Sequence, residues 1–578
     1  MTNQRVIKKT SLSKYEAPMS SPLGRLSIVC ALTLSALANS AQAQVAGPGA
    51  PPGAGDTLRD LQRTLPVAPH EATAVLTIPA DTEAGADLQQ RFHVTAIQIE
   101  GNHLVATSEL RPLVDKLAGQ DVTLGELHAA ARSITAVYRA KGIVVARAFI
   151  PAQRIEGGVV TVTVLEGSLH SSTVDNKSRV RQDKLNAVVA AQELNGKVIR
   201  APATDRTLLL LADLPGVGAV NGILKPGEAV GTSDLLIPVE QGKSQDGEVS
   251  VDNYGNRYTG EFRLNGHVAF NSPLHVGDRL DLRMTLTNEH LAYGRFAYDL
   301  PANDNGLRLG VDASTSHYEL AKEFANLHAD GHANTLGVFG SFPALRGLVA
   351  NVWASGAIEE RYLLDHVGST STDTAKNLTT ATATLYGDLA DALGGGAYNT
   401  WTASVVAGAL NIKSPAALAI DQAAPHAQGG YFKLLGGANR LQAITSSTFV
   451  YASVAGQRAS KNLDSSEKFV VGGIYGVRAY PQGEGAGDDG WQGTLELRQN
   501  LGGAIQAQAF YDAGHATYVH DKYSSGNNGE TLKGYGLALS GAWKGFDTHL
   551  TVAWRDSQPA VTAPDHSPRF WGAVGWQF

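Results

Sequence analysis

The chain contains 578 residues, of which 63 are glycine and only 17% are charged. This length allows several domains, and a glycine-rich composition without a long apolar run favours many short strands joined by turns over a helical bundle. Acidic residues outnumber basic ones, 54 to 47. The sequence therefore lacks the concentrated positive charge typical of nucleic-acid binding, and we expect no nucleic-acid partner.

Residues 1–43 have the three parts of a secretory signal peptide. Five basic residues precede the apolar core LSIVCALTLSAL, and AQA offers small residues for cleavage before Gln44. The alternative, a membrane anchor, is disfavoured because the apolar run is shorter than the ~20 residues of a spanning helix. Cleavage would leave 42 basic and 53 acidic residues, a net charge of −11, and would remove Cys30, the only cysteine. We therefore expect no disulfide in the mature chain. Because the basic region is long, translation could also start at Met19.

Residues 44–90 are predicted to be a linker. Their Pro, Gly and Ala-rich composition cannot bury enough apolar surface to fold alone. One short helical candidate, DTLRDLQRTL at Asp56–Leu65, interrupts this segment and could dock elsewhere on the protein.

Two consecutive modules of order β-α-α-β-β are predicted, at residues 91–167 and 168–242. In the first, FHVTAIQIEGN alternates at period two, two helical segments follow, and two β-rich runs complete the unit. Thr107 or Ser108 and then Thr123 are the candidate N-caps of its helices. The same order recurs in the second segment, and an internal repeat of one supersecondary unit is typical of an array of small modules.

From residue 243 to 578 the helical periodicity disappears, and alternating segments of about ten residues appear between turn-forming clusters. In WQGTLELRQNL, Leu495 and Leu497 lie opposite Glu496 and Arg498. A soluble β-domain also alternates, but a charged face suits a wet lumen better than a dry core. Since an open sheet edge in hydrocarbon would leave backbone groups unsatisfied, the sheet must close. We predict an all-β transmembrane barrel of about sixteen antiparallel strands, with a soluble β-domain as the alternative. Glu496 and Arg498 could line a translocation path or simply pair across strands.

The last segment, RFWGAVGWQF, places Phe570, Val574, Trp576 and Phe578 on one face. Aromatic residues near strand ends are typical of the interfacial girdles of membrane barrels. A terminal aromatic residue, here Phe578 with Trp576, resembles the sorting signal of outer-membrane barrels. We therefore expect the outer membrane of a Gram-negative bacterium, contact with lipid and lipopolysaccharide, and a need for barrel-assembly machinery during biogenesis.

The order of two modules and a barrel, together with IQIEGNHLVATSEL, YRAKGIVVARAFIPAQRIEGGVVTVTVLEG, GVRAY and FYDAGHA, resembles the outer-membrane transporters of two-partner secretion, a ShlB/FhaC-like branch of the Omp85 superfamily. The resemblance implies two periplasmic POTRA modules that capture an unfolded exoprotein, and a sixteen-stranded pore that passes it to the cell surface (type V secretion). The exported partner would be an adhesin, a hemolysin or a related β-helical protein. In relatives a short N-terminal helix can plug the pore, which makes Asp56–Leu65 the candidate here. An Omp85-type barrel-assembly factor is the alternative function, and a passive porin would need no modules.

The resemblance also implies a long loop that folds back into the lumen, with Val477, Arg478, Ala479 and Tyr480 as its motif. On the barrel wall, AIQAQAFYDAGH places Phe510 and Asp512 on the polar face by parity, with Gly514 two residues further on. The resemblance brings Arg478 and Asp512 together as a charge-assisted pair.

Several interpretations of these motif residues remain open. Arg478 could instead be a solvated loop charge, or its pair could merely stabilise the barrel. Tyr480 either packs the loop against the wall or is an ordinary loop tyrosine. Ala479 stands where the family usually has glycine, and a positive φ there would strain the loop by roughly 1 kcal/mol.

No catalytic constellation is visible in the sequence. We find no zinc-protease motif, nucleophile-elbow serine, phosphate-binding loop or cysteine nucleophile, and the 17 histidines are scattered. An outer-membrane lipase or deacylase would need a Ser/His pair that we do not identify. We therefore expect no enzymatic activity, no cofactor and no metal.

Overall fold

The computed structural model describes residues 3–5, 51–62, 74–78 and 90–578. The predicted signal peptide lies outside the described residues except for β1 (Asn3–Arg5), and so does most of the predicted linker. Two elements of the linker are described: α1 (Ala54–Gln62) and β2 (Ala74–Ile78), which pairs with β1. The predicted helix is therefore present, although it begins two residues earlier and its last predicted residues lie outside the described part.

The first module follows the predicted order with one addition. Its elements are β3 (Arg91–Val94), β4 (Ala96–Glu100), α2 (Thr107–Val114), β5 (Gln120–Thr123), α3 (Leu124–Ala140), β6 (Arg147–Phe149) and β7 (Val159–Leu165). The predicted first strand is broken at Thr95, whose backbone N–H donates to the Gly158 carbonyl at 2.8 Å. As a result β3 pairs with the unpredicted β5, whereas β4 joins β7 and β6 in a separate sheet.

The two helices of this module differ in how their N-termini are capped. The Thr123 hydroxyl accepts the Glu126 N–H, and the Glu126 carboxylate accepts the Thr123 N–H, which forms a capping box at the start of α3. The same backbone N–H lowers the pKa of Glu126. The cap predicted for α2 at Thr107 or Ser108 is wrong: Ala106 occupies the N-cap position, and no side chain caps this helix.

Apolar residues of α3 form a buried stripe in the module core. Leu127, Ile134 and Tyr138 are fully buried in that stripe. The Tyr138 hydroxyl still finds an acceptor, Glu166 Oε1 at 2.8 Å. Burial, reinforced by this carboxylate, raises the pKa of Tyr138 well above its usual range.

The second segment has the predicted β-α-α-β-β order, with an additional strand at its sheet edge. Its elements are β8 (Ser168–Asn176), α4 (Gln182–Ala191), α5 (Ala201–Ala212), β9 (Val217–Pro226) and β10 (Thr232–Gln241). β10 lies between β8 and β9, and β2 pairs in parallel with the outer edge of β9. The linker prediction missed this strand because AVLTI is a short apolar run whose partner strand, β9, is distant in sequence.

The remaining chain forms a closed barrel of sixteen antiparallel strands, which confirms the predicted barrel and excludes the soluble alternative. The barrel strands are β11 (Gln245–Asp252), β12 (Arg263–Asn271), β13 (Arg279–Thr287), β14 (Ala292–Pro301), β15 (Arg308–Glu319), β16 (Ala329–Arg346), β17 (Ala350–Val367), β18 (Thr372–Asp391), β19 (Ala397–Ile412), β20 (Gly429–Ala443), β21 (Thr448–Ala459), β24 (Asp489–Gly502), β25 (Ile505–Thr517), β26 (Gly529–Trp543), β27 (Phe546–Arg555) and β28 (Arg569–Gln577). The loop between β21 and β24 contains the short strands β22 (Phe469–Val470) and β23 (Ala486–Gly487), and the loop between β19 and β20 contains α6 (Pro415–Ala423). β11 pairs with β28 and closes the sheet.

Strand parity separates a lipid face from a lumen face. On β24, Leu495 and Leu497 are more than half exposed on the outside, whereas Glu496 and Arg498 are buried inside the barrel. The acid and the base form an ion pair at 2.6 Å. They lie two residues apart on one strand, so this ion pair runs along the strand and not across strands, and both residues line the lumen.

Turns of two to seven residues connect the strands at the end of the barrel that faces the second module, and most of the loops at the far end are longer. The longest of these loops, residues 460–488, connects β21 to β24. None of the helices in the described part of the chain is long and apolar enough to cross a bilayer.

The capping box gives a direct test of the α3 boundary. Thr123→Ala is expected to destabilise the first turn of α3 by ~1 kcal/mol, so that its amide hydrogens exchange about fivefold faster. Ser108→Ala, at the uncapped start of α2, is the matched control and is expected to leave exchange in α2 unchanged. Equal responses of the two helices in hydrogen–deuterium exchange of the whole protein would contradict the assignment.

Candidate functional site: the lumen and its inward loop

The loop of residues 460–488 lies inside the barrel, as the resemblance implied. β22 and β23 pair with each other, and Val477 N–H donates to the Val471 carbonyl at 2.7 Å, which bends the tip back on itself. Gly473, with a φ of +108°, permits this bend. Val477, Ala479 and Tyr480 are buried in one apolar cluster with Phe510 of the barrel wall.

Arg478 binds the Asp512 carboxylate through both of its oxygens. Nε donates to Oδ2 at 2.9 Å and Nη2 to Oδ1 at 2.7 Å, while the Arg478 backbone N–H also reaches Oδ2 at 3.1 Å. The guanidinium lies over the Phe510 ring, 3.4 Å from its centroid. A two-pronged contact between guanidinium and carboxylate fixes both distance and orientation. The predicted partners are therefore in contact, with Phe510 beneath them.

A second acid, which sequence reasoning did not connect with Arg478, completes the site. Glu496 Oε1 lies 2.8 Å from Arg478 Nη1, and the other oxygen of Glu496 binds Arg498. Thr494 accepts a further hydrogen bond from Arg478 Nη2 at 2.9 Å and donates to Asp512 at 2.6 Å. Parity had placed Glu496 on the lumen face, but only the register between β24 and β25 sets it opposite Phe510. Two cations and two anions thus form a neutral buried cluster.

Ala479 and Gly514 show how closely the loop approaches the wall. Ala479 does not have a positive φ, so the expected strain is absent. Its methyl group instead faces Gly534 of β26, where an added Cβ would lie 2.5 Å from the Ala479 Cβ. Gly514 makes room in the same way for Val471, because a Cβ there would lie 2.5 Å from Val471 Cγ1.

Tyr480 packs the loop against the far-end loop of residues 556–568. Its hydroxyl donates to the Gln558 carbonyl at 2.6 Å and contacts Ser557 Oγ at 2.8 Å. On the opposite side, Trp571 Nε1 of β28 donates to the Arg478 carbonyl at 2.7 Å. These contacts favour the packing interpretation of Tyr480 over that of an ordinary loop residue.

A second group of buried charges holds the first half of the loop. Asp464 binds Lys376 of β18 at 2.8 Å. Glu467 binds Lys433 of β20 at 2.8 Å and Arg361 of β17 at 2.6 Å. Sequence reasoning missed this group because its members come from three strands and a loop that are distant in the chain. The loop is thus attached to the wall at two separate places.

Helix α1 lies in the lumen beside this second anchor. The Ala54 N–H, at the start of the helix, donates to Asp365 Oδ1 at 2.6 Å, and the Tyr318 hydroxyl donates to the same oxygen. A carboxylate at this position is favourable because a helix N-terminus carries partial positive charge. Leu58 and Leu61 are buried against β15–β17, and Gly55 lies against Ser466, where an added Cβ would lie 2.9 Å from the serine Cβ.

A cavity of about 1710 Å³ remains inside the barrel. It extends from Asp213 and Val217 of the second module to Arg478 and Glu496 at the loop tip, and Arg59 of α1 lines it as well. The lumen is therefore open toward the module end and is filled by α1 and the loop further along.

The C-terminal residues lie at the closing seam. Phe578 N–H donates to the Gly247 carbonyl at 3.1 Å, so that pairing with β11 extends to the last residue. The Trp576 and Phe578 rings are 5.2 Å apart, and both side chains are exposed on the outer face.

Comparisons with known proteins agree with this architecture. The family model described as haemolysin secretion/activation protein ShlB/FhaC/HecB matches residues 231–541, more than half of the chain, and the model of the ShlB-type POTRA domain matches residues 92–167. The chain belongs to the ShlB/FhaC/HecB family. This confirms the family resemblance, and it identifies an outer-membrane transporter of two-partner secretion with its POTRA end in the periplasm, rather than a barrel-assembly factor.

Two individual relatives are each at most 28% identical to this chain. The chain is 28% identical over 465 residues to the heme/hemopexin transporter protein HuxB of Haemophilus influenzae strain 86-028NP, with 78% of this chain and 81% of HuxB covered. It is 27% identical over 225 residues to the outer membrane transporter CdiB of Escherichia coli strain 536, with 37% and 36% covered.

Two solved structures share the fold. CdiB from Escherichia coli superposes with a TM-score of 0.66 at 20% identity, covering 90% of this chain and 95% of that one. CdiB from Acinetobacter baumannii gives a TM-score of 0.58 at 15% identity, covering 85% and 91%.

Proposed function

We propose that this ShlB/FhaC/HecB-family transporter exports one large partner polypeptide in extended form, and that α1 and the inward loop close the lumen at rest. The observation that carries the proposal is the lumen that opens toward the second module and is filled further along by these two elements. Besides their apolar packing, both are attached to the wall by ion pairs and hydrogen bonds, which an arriving polar chain can replace.

The exported partner is a secreted exoprotein of the adhesin or hemolysin type. This assignment rests on the family description and on relatives whose names denote transporters, one of them of heme/hemopexin. The protein carries out no enzymatic reaction. It contacts outer-membrane lipid and lipopolysaccharide through its exposed apolar face, and barrel-assembly machinery inserts it by way of Phe578 and Trp576.

The proposed domain organisation supports this route. Residues 1–43 are a cleaved signal, 91–167 and 168–242 are two POTRA modules, and 243–578 form the barrel. An extended client can add to a sheet edge by main-chain pairing. The outer edge of β9 in the second module is already occupied by β2, so a client that uses this edge must replace β2.

Deletion of the gene tests the function itself. The exported partner, which we expect to be encoded next to this gene, should accumulate in the periplasm of the deletion strain, measured by immunoblotting of periplasmic and surface fractions. Restoring the gene should return the exoprotein to the surface. Normal surface display in the deletion strain would exclude the proposed function.

The Arg478–Asp512 pair is expected to act as one unit. Arg478→Ala and Asp512→Ala should each reduce secretion, because removing one partner of a buried ion pair upsets the charge balance of the four-residue cluster at a cost of ~3–5 kcal/mol. The double variant should secrete at least as much partner as the single variant that secretes less. Additive losses would show that the two residues do not act together. Asp556→Ala, at an exposed carboxylate on the far-end rim, is the control.

The contact between α1 and the inward loop can be disrupted at Gly55. Gly55→Leu places a side chain against Ser466 and should displace α1, so that planar-bilayer recordings show more frequent and larger openings than the wild type. Gly294→Leu, at a barrel glycine with free space around its Cβ position, should leave conductance unchanged. Unaltered conductance of the Gly55 variant would contradict the proposed closure by α1.

A further inference from the structure

The second module contacts the barrel at several periplasmic turns. Gln192 Nε2 donates to Asn305 Oδ1 at 3.0 Å, and Arg206 Nη1 donates to the Pro343 carbonyl at 3.1 Å. His275 Nδ1 lies 2.8 Å from the Arg179 carbonyl oxygen. The His275 carbonyl also accepts the Arg181 backbone N–H at 2.9 Å, and none of these contacts is an ion pair.

One further contact is of a different kind. Arg346, at the end of β16, binds Asp213 through two parallel hydrogen bonds, Nε to Oδ2 and Nη2 to Oδ1, both at 2.7 Å. The arginine side chain is only 7% exposed. Nη1 donates to Asn351 Oδ1 at 2.9 Å, and the guanidinium stands over the Trp353 ring, 5.5 Å from its centroid. Arg346 is therefore fixed on the barrel wall, with two of its donors directed at the module.

The barrel side of this pair is itself rigidly built. Asn351, which holds Arg346 Nη1, donates from Nδ2 to Asp388 on β18 at 3.0 Å. The guanidinium is thus connected to three consecutive strands, β16, β17 and β18. A shielded pair with this geometry constrains position more strongly than an exposed one.

The position of Asp213 in the module gives the pair its significance. Asp213 is the C-cap of α5, and the chain continues directly through Leu214–Gly216 into β9. All of these residues line the mouth of the lumen cavity. On the neighbouring face of α5, Leu210 approaches Gly306 of a periplasmic turn, where an added Cβ would lie 2.9 Å from Leu210 Cδ2. The ion pair thus holds the first residues of β9 at the entrance of the pore.

We propose that Asp213 and Arg346 are positioning residues for export, whose ion pair keeps the start of β9 in the pore mouth so that a polypeptide bound along β9 is handed directly into the lumen. The handover rests on the proposed use of the β9 edge. The docking of the module by this pair is independent of that use and can be measured without a client.

Charge reversal tests the pair in the whole protein. Asp213→Arg and Arg346→Asp are each expected to reduce secretion by at least about tenfold, equivalent to ~1.4 kcal/mol, because like charges then face each other. The combined exchange restores opposite charges and should return secretion to within about twofold of wild type, the signature of a direct interaction. The control is reversal of Arg181 and Asp183, a two-pronged pair of the same module that is more than half exposed and touches no barrel residue through these side chains.

Docking is measured separately by cross-linking. Because Cys30, the only cysteine, lies in the cleaved signal, cysteines introduced at Gln192 and Asn305 can be bridged by a short bis-maleimide, and the cross-link yield in outer membranes reports the docked module. We expect the yield to fall in each single reversal and to recover in the exchange variant, with equal amounts of folded barrel throughout.

The outcomes separate the two levels of the proposal. An unchanged cross-link yield in the single reversals, or an exchange variant that recovers neither yield nor secretion, would overturn the positioning role. If the yield follows the expected pattern while secretion of the single reversals stays normal, docking by this pair is not needed for export and the handover is wrong. If the wild type itself does not secrete the partner, the proposed function fails, and the cross-link yields still test the docking.

Discussion

A closed barrel in a bilayer has to turn its apolar side chains outward, and this constraint decides where every charge of the transmembrane part goes. Backbone groups cannot remain unpaired in hydrocarbon, so the sheet closes into a barrel. The polar side chains of its strands then face the lumen. That lumen is then narrowed by a loop and a helix, which shield its charges from bulk water. Shielded charges must be paired. The ion pairs of the lumen follow from this requirement, because each inward element meets a wall that already carries charge.

The inward loop illustrates how the requirement is met. Its tip brings one cation, Arg478, to a wall that offers the two acids Asp512 and Glu496, and Arg498 balances the second acid. Its first half brings two acids, Asp464 and Glu467, to a wall that offers lysine and arginine. The two anchors have opposite polarity, so the loop cannot exchange one for the other by sliding. The two anchors thus fix the register of the loop against the wall, which explains how a glycine-rich chain can hold a defined position.

Sequence reasoning determined which side is polar for the strands whose alternation it used, but not which residues of neighbouring strands lie opposite each other. Parity correctly placed Leu495 outside and Glu496 inside, since period-two alternation is a local property. The contact between Glu496 and Arg478 depends on the register of three strands and on a loop, and no local pattern encodes it. The Arg478–Asp512 contact was predictable only through the family motif. β2 was missed for the same reason as Glu496, because its order depends on a sheet edge more than 140 residues away. The break at Thr95 depends on a hydrogen bond to Gly158, which is also distant in sequence.

The same electrostatics bears on how a pore that is sealed so firmly can open. Replacing a buried ion pair by other satisfied contacts is often close to neutral, whereas removing one partner alone is costly. A polypeptide that enters the lumen with its own polar backbone and side chains can take over the hydrogen bonds of α1 one by one, starting at Arg59 and Gln62, the residues of α1 that line the open part of the lumen. The protein then does not pass through a state in which buried charges lack partners. An apolar plug of equal area would give no such sequence of exchanges, since its removal exposes all of its surface to water. A polar lumen wall is therefore suited both to holding the pore closed and to letting a chain displace what closes it.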